Sequence, residues 1–334
     1  RGGGPPGVLQ TSRPFGVLML RELIDRIRII EVFGPALKAA GGFKGLKLWR
    51  EWGLYYTGVM VKAASLCGWS PEEASDDPVW QALTAVYWHH RGEFREKPPK
   101  EFPEAWTNHL AIIKWAAEHI CERDLPEARV KYAELLKAPL YRAYRQALYK
   151  WFIPPLVRAG AVETVLSVGG GLVEPFDLLK VAEEEKIHFE LYVQEVDDAV
   201  AKALAASGFQ VYLGDLSKLV VDVSDILGKS YFDLAVVQAV LHWADDPIAL
   251  LTAAGRLAKY VLVAQFWGPY AAAGSVATVL MGARRYIHDW REIEAWAEQA
   301  GLLPARDVPR KLRIAIRGHG LYLRLFQPKW AEKA

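Results

Sequence analysis

The sequence predicts an α/β chain: a doubly wound, mostly parallel sheet preceded by an all-helical N-terminal region. Three observations predict it. Residues 15–155 show helical periodicity broken by proline and glycine, without strand alternation. After Pro154-Pro155, short apolar runs alternate with amphipathic segments, as strands do when helices cross between them. The first of these runs ends in Gly169-Gly170-Gly171, and the second ends in an acid, Glu195, 24 residues beyond the last glycine.

Taken in order, residues 1–14 are expected to be a flexible tail, opening Arg1-Gly2-Gly3-Gly4-Pro5-Pro6-Gly7. Pro35 interrupts the first apolar pattern and Gly41-Gly42 ends it. Ser70-Pro71-Glu72-Glu73 combines an N-cap, a first-turn proline and first-turn acids, a helix start; Asp77-Pro78 repeats the signal. Pro103, Pro126 and Pro139 each open another periodic segment. Residues 15–155 are expected to form a substrate lid or a dimerisation domain, which would make the chain a homodimer, ahead of a ligand-binding domain over 156–334. The strand runs are Thr164–Val168, Phe189–Val193, Gln210–Tyr212, Phe232–Val237 and Tyr260–Gln265. Arg313–Ile316 and Leu321–Phe326 read as a hairpin about Arg317-Gly318-His319-Gly320, so the sheet should finish with an antiparallel strand.

Composition bounds the function classes. The chain has 334 residues, 52% of them apolar, and a formal charge of +2. That is a globular chain with no marked bias toward nucleic acid. Residues 1–150 hold 22 Lys+Arg against 17 Asp+Glu; the remainder hold 19 against 22. No apolar run approaches the ~18 residues of a membrane span and no signal peptide is visible, so a soluble cytoplasmic protein is expected, without a membrane partner. Cys67 and Cys121 lack metal-ligand spacing and are too few for a disulfide framework; two buried free thiols are expected. A single Asn, Asn108, and three Met suggest a thermophilic source. Eight of the thirteen Trp lie before residue 152. They read as core packing, with an aromatic-walled pocket as the sharper alternative.

Four features fall in order at the carboxyl ends of predicted strands, where open α/β sheets bind ligands. They are Gly169-Gly170-Gly171, then Glu195, then Gly214-Asp215, and then Phe232-Asp233-Leu234 leading through Gln238 to Leu241-His242-Trp243. Glycines let backbone approach a nucleotide-like ligand, and an acid after the second strand takes ribose hydroxyls.

In these motifs the chain resembles the seven-stranded, class I S-adenosylmethionine-dependent methyltransferases. It is most similar to the group joining quinone-biosynthesis-type small-molecule enzymes to plant-type O-methyltransferases. The resemblance covers residues 160–328. It implies S-adenosylmethionine as cofactor; no metal is expected, for want of a third ligand beside His89 and Glu93. It places Gly169, Gly170 and Gly171 under the cofactor's methionine part and Glu195 on the ribose. Asp215 falls to the adenine amino group, Leu216 lies beside the ring, and Gln238 lines the mouth. His242 corresponds to a general base, with Asp245 or Asp246 to orient it. The chain departs from the pattern in three places. Ser167 stands for the usual first-strand acid, Val173 for the third glycine, and Leu257-Ala258-Lys259-Tyr260 for the Pro-Gly turn before the fifth strand. Glu174 is a candidate to supply the lost polar contact.

The leading function is methyl transfer to a small apolar or aromatic acceptor held between the two regions. Methylation of RNA or protein is the alternative within the same chemistry, as is transfer of the cofactor's aminocarboxypropyl group. A non-catalytic binding or assembly protein on the same fold is the alternative of another class. His89-His90-x-x-Glu93 supplies a helical pair of potential metal ligands without an identifiable third, and reads as a solvated helix end. The basic residues Arg306, Arg310, Lys311, Arg313 and Arg317 alternate with apolar ones and read as a solvated sheet edge rather than a phosphate site.

Overall fold

The computed structural model describes residues 15–218 and 231–333. The tail expected over 1–14 lies outside them. Six helices come first: α1 (Phe15–Ala39), α2 (Gly42–Leu66), α3 (Pro78–His89), α4 (Thr107–Glu118), α5 (Ala128–Lys137) and α6 (Pro139–Arg158). A seven-stranded sheet follows, with β1 (Thr164–Val168), β2 (Glu190–Glu195), β3 (Gln210–Leu213), β4 (Phe232–Gln238), β5 (Ala258–Phe266), β6 (Leu302–Pro304) and β7 (Leu321–Pro328). Between the strands run α7 (Glu174–Glu185), α8 (Asp198–Ala206), α9 (Pro247–Leu257), α10 (Ala273–Leu280) and α11 (Trp290–Gln299). The strand order is β3-β2-β1-β4-β5-β7-β6. The first five strands are parallel, and β7 runs antiparallel between β5 and β6.

The central strands are mostly apolar on both faces because helices cover both. One face packs Val165, Leu234, Val236 and Leu262 against α6 and α7; the other packs Leu166, Val168, Ala235 and Val263 against α9 and α11. A third cluster lies among α2, α3 and α4 and includes Ala273, Val276 and Ala277 of α10. The excursion after β5 therefore crosses into the helical layer. No described helix is long and apolar enough to span a membrane.

Several local expectations are corrected. Pro35 lies inside α1 rather than interrupting it. Pro154-Pro155, at the expected boundary, lies inside α6, which runs on to Arg158. Ser70 starts no helix: its hydroxyl bonds the Glu72 carboxylate at 2.9 Å, and the next helix waits for Asp77, whose Oδ1 accepts from Val79 N at 2.8 Å. The expected closing hairpin reduces to a single bridge, Ile316 to Leu323; the partner of β7 on its outer side is β6. Cys67 and Cys121 are exposed and form a disulfide. Packing of α2 on α4 brings their Cα atoms to 6.0 Å, a separation that a disulfide bridges without backbone movement.

Candidate active site

The first turn is built from the strand outward. β1 delivers Gly169 and Gly171 with φ of 62° and 61°, a region where side chains are strained. Gly170 is required for another reason. A Cβ there would lie 2.5 Å from Ser167 Oγ and 2.8 Å from Glu174 Cβ. Ser167 and Glu174, the candidate to replace the missing first-strand acid, thus meet beneath one glycine. Ser167 Oγ donates to Glu174 Oε1 at 2.7 Å, and the Glu174 carboxyl is fully buried. Burial pushes it up to about 7, against the pull of the Ser167 and Tyr149 hydroxyls.

Glu195 closes the turn from the neighbouring strand. Its Oε2 accepts from Gly171 N at 3.1 Å; its Oε1 accepts from Val196 N at 2.8 Å and Asp197 N at 3.3 Å. Burial raises its pKa, against the pull of these three N–H groups. Gly214 N donates to the Glu195 carbonyl at 2.9 Å, which sets Asp215 beside it. Asp215 is half-buried and pairs with Lys218 at 3.2 Å. Leu216 is buried in the sheet core. Gln238 is buried at the end of β4, its Nε2 donating to the Tyr141 hydroxyl at 3.3 Å. Two carboxylate acceptors and a glycine turn at adjacent strand ends suit a nucleoside carrying a short polar chain, so the residues fit the implied cofactor. Apolar groups roof the turn, however. The Cβ position of Gly171 lies 3.3 Å from Leu136 Cδ1, and that of Gly169 lies 3.3 Å from Val240 Cγ1. Leu136 and Val240 thus border the turn.

Beyond that roof lies a cavity of about 690 Å³ between the helices and the ends of β4 and β5. Phe33, Trp49, Trp106, Tyr132, Tyr144 and Phe266 supply much of its wall. His242 lines it too, and its surroundings differ from the sequence expectation. Asp246 caps α9, accepting from Ile248 N and Ala249 N; Asp245 pairs with Lys218 and Arg284. Neither orients His242. Gln265 does, with Nε2 2.7 Å from His242 Nδ1. Sequence reasoning missed Gln265, although a lone amide ending the apolar run of β5 was a visible signal. Between Gln238 and His242, Ala239 sits at φ 51°, a strained backbone for a residue with a side chain, and lines the cavity.

The helical layer is tied to the sheet by a buried ion pair. Asp177 of α7 accepts from Arg145 Nε and Nη2 at 2.9 and 2.7 Å, and from Arg142 Nε and Gln146 Nε2, each at 2.9 Å. The same Arg145 Nη2 donates to the Leu136 carbonyl at 2.8 Å, which holds the end of α5 over the glycine turn. The other charged candidates have structural partners. His90 Nε2 lies 3.0 Å from the Pro269 carbonyl, and Glu93 pairs with Arg50. Arg313 Nε donates to the Val308 carbonyl, Lys311 covers Trp151, and Arg317 pairs with Glu294.

No family model matches the chain, and no curated protein matches it. Solved structures do. The C-methyltransferase (CMeT) domain of the citrinin polyketide synthase superposes with a TM-score of 0.61 over 96% of this chain and 98% of its own, at 9% identity. The fold is that of the class I methyltransferases. The CurJ carbon methyltransferase is also similar, with a TM-score of 0.50 over 93% of this chain and 98% of its own, at 11% identity. The shared fold accounts for the strand order. At these identities the similarity is one of architecture.

Proposed function

We propose that this chain transfers the methyl group of S-adenosylmethionine to a small apolar or aromatic acceptor held in the cavity. One observation carries the reading: residues adjacent in sequence border the cavity on one side and the glycine turn on the other. Leu135 and Ala239 line the cavity, while their neighbours Leu136 and Val240 pack on Gly171 and Gly169. When bound, the cofactor supplies an activated methyl group on a sulfonium. The chain's own task is then to align the acceptor and to exclude water. Glu195 and Asp215 would hold the nucleoside, Gly169–Gly171 would pass under its chain, and Glu174 with Ser167 would supply the carboxyl that the first strand lacks. The aromatic wall would hold a flat or apolar acceptor without demanding charge from it.

Calorimetric titration with S-adenosylmethionine tests the first half. Binding that Glu195→Ala weakens at least tenfold is expected, because the ribose loses its acceptor. Absence of heat and of any melting shift at millimolar cofactor would instead favour a non-catalytic protein on this fold, a reading the roofed turn motivates.

A further inference from the structure

We propose that His242 is a hydrogen-bond donor to a ligand oxygen, so that the cavity selects apolar molecules bearing an acceptor oxygen such as a carbonyl. This deepens the methyl-transfer reading by naming the acceptor's class, and rests on it only for the word acceptor. The Gln265 amide decides the matter. Its Oε1 lies 3.2 Å from the Leu241 backbone nitrogen, a group that only donates. Its Nε2 lies 3.2 Å from the Phe266 carbonyl, a group that only accepts. Both partners are one-way, so the amide has one orientation.

Nε2 therefore gives its other hydrogen to His242 Nδ1, 2.7 Å away. A ring nitrogen that accepts carries no proton, so in neutral imidazole the proton sits on Nε2. Burial keeps the ring neutral, pushing its pKa down to about 4. Nε2 is buried without a hydrogen-bond partner among the described residues, and other atoms of the ring line the cavity. A buried N–H lacking an acceptor is unfavourable, and a ligand oxygen that reaches Nε2 through a small shift of the cavity wall relieves it. In this tautomer Nε2 has no lone pair with which to take a proton from a hydroxyl. The donor role thus replaces the general-base role that the family resemblance implies. Gln265 is the positioning residue. A carboxylate in its place would accept from Nδ1 and leave Nε2 basic.

Nitrogen-15 histidine labelling of the full chain reads the tautomer directly. A pyrrole-type Nε2 and a pyridine-type Nδ1 are expected for His242 at neutral pH, and Gln265→Glu should exchange them. Binding is read with 2-acetylnaphthalene and 2-ethylnaphthalene, nearly equal in size and differing in the carbonyl, by tryptophan fluorescence. The ketone should bind about tenfold more tightly, the scale of one buried unsatisfied donor. The preference should survive in His242→Gln, which keeps an N–H donor, and vanish in His242→Leu and Gln265→Glu. A pyridine-type Nε2 in the free protein, or no preference between the two probes, including no binding of either, would overturn the proposal. Neither readout uses S-adenosylmethionine, so failure of the cofactor to bind would remove the methyl-transfer reading and leave this one intact.

Discussion

Replacing Glu174 by glutamine should make the protein more stable in mild alkali and leave it nearly unchanged in acid. The carboxyl lies under Gly170 beside the Ser167 and Tyr149 hydroxyls, and burial moves it from 4.5 to about 7. The folded chain therefore holds this proton at pH values where the unfolded chain has released it. In that window the unfolded state binds fewer protons, so stability falls as pH rises from 4.5 to about 7 and is level above it. At about 1.4 kcal/mol per pH unit, the loss from this group is about 3 kcal/mol. Glu174→Gln keeps the shape and an acceptor for Ser167 while removing the titration. Urea denaturation of both proteins at about pH 4 and about pH 8.5 reads the difference, and the other acids cancel between them. The variant should gain up to about 3 kcal/mol at the higher pH relative to the lower. Parallel stability curves for the two proteins would refute the assignment of a strained, buried carboxyl beneath the turn.

Asp177→Ala should cost about 3–5 kcal/mol in the same denaturation experiment, because it leaves the buried Arg145 guanidinium without its counter-charge. Reduction of the Cys67–Cys121 bond, or Cys67→Ser, should lower stability by up to about 4 kcal/mol, the loop-closure value for its 54-residue separation, read as a melting shift with and without reductant. Gly170→Ala should destabilise by about 1–3 kcal/mol, since its Cβ would overlap Ser167 and Glu174, both buried; an unchanged midpoint would show that the turn can open at no cost.

What the sequence disclosed and what it withheld follow from range. β1 matched its expected bounds, Thr164–Val168, because a glycine ends its apolar run. β6 was missed because Leu302–Pro304 is too short to show a period and ends in proline. The Arg313–Ile316 segment alternates like a strand, yet its carbonyl and N–H groups meet β7 only at Ile316. Gly169, Gly171 and Glu195 could be read from the chain because strand ends are local features and their spacing is set by one intervening helix. Gln265 on His242, Tyr141 on Gln238 and Leu136 on Gly171 are contacts between residues far apart in the chain, which pattern alone does not reveal. The disulfide belongs with these, since helix packing rather than spacing brings its cysteines together.

Leu135 faces the cavity and Leu136 faces the glycine turn, so one short stretch of α5 borders both compartments. A molecule that displaces this stretch from either side alters the other side's free energy of filling. Such linkage is reciprocal: whatever factor an acceptor imposes on cofactor affinity, the cofactor must return. Titrating each in the saturating presence of the other should yield one factor, above unity if a single withdrawal of α5 serves both.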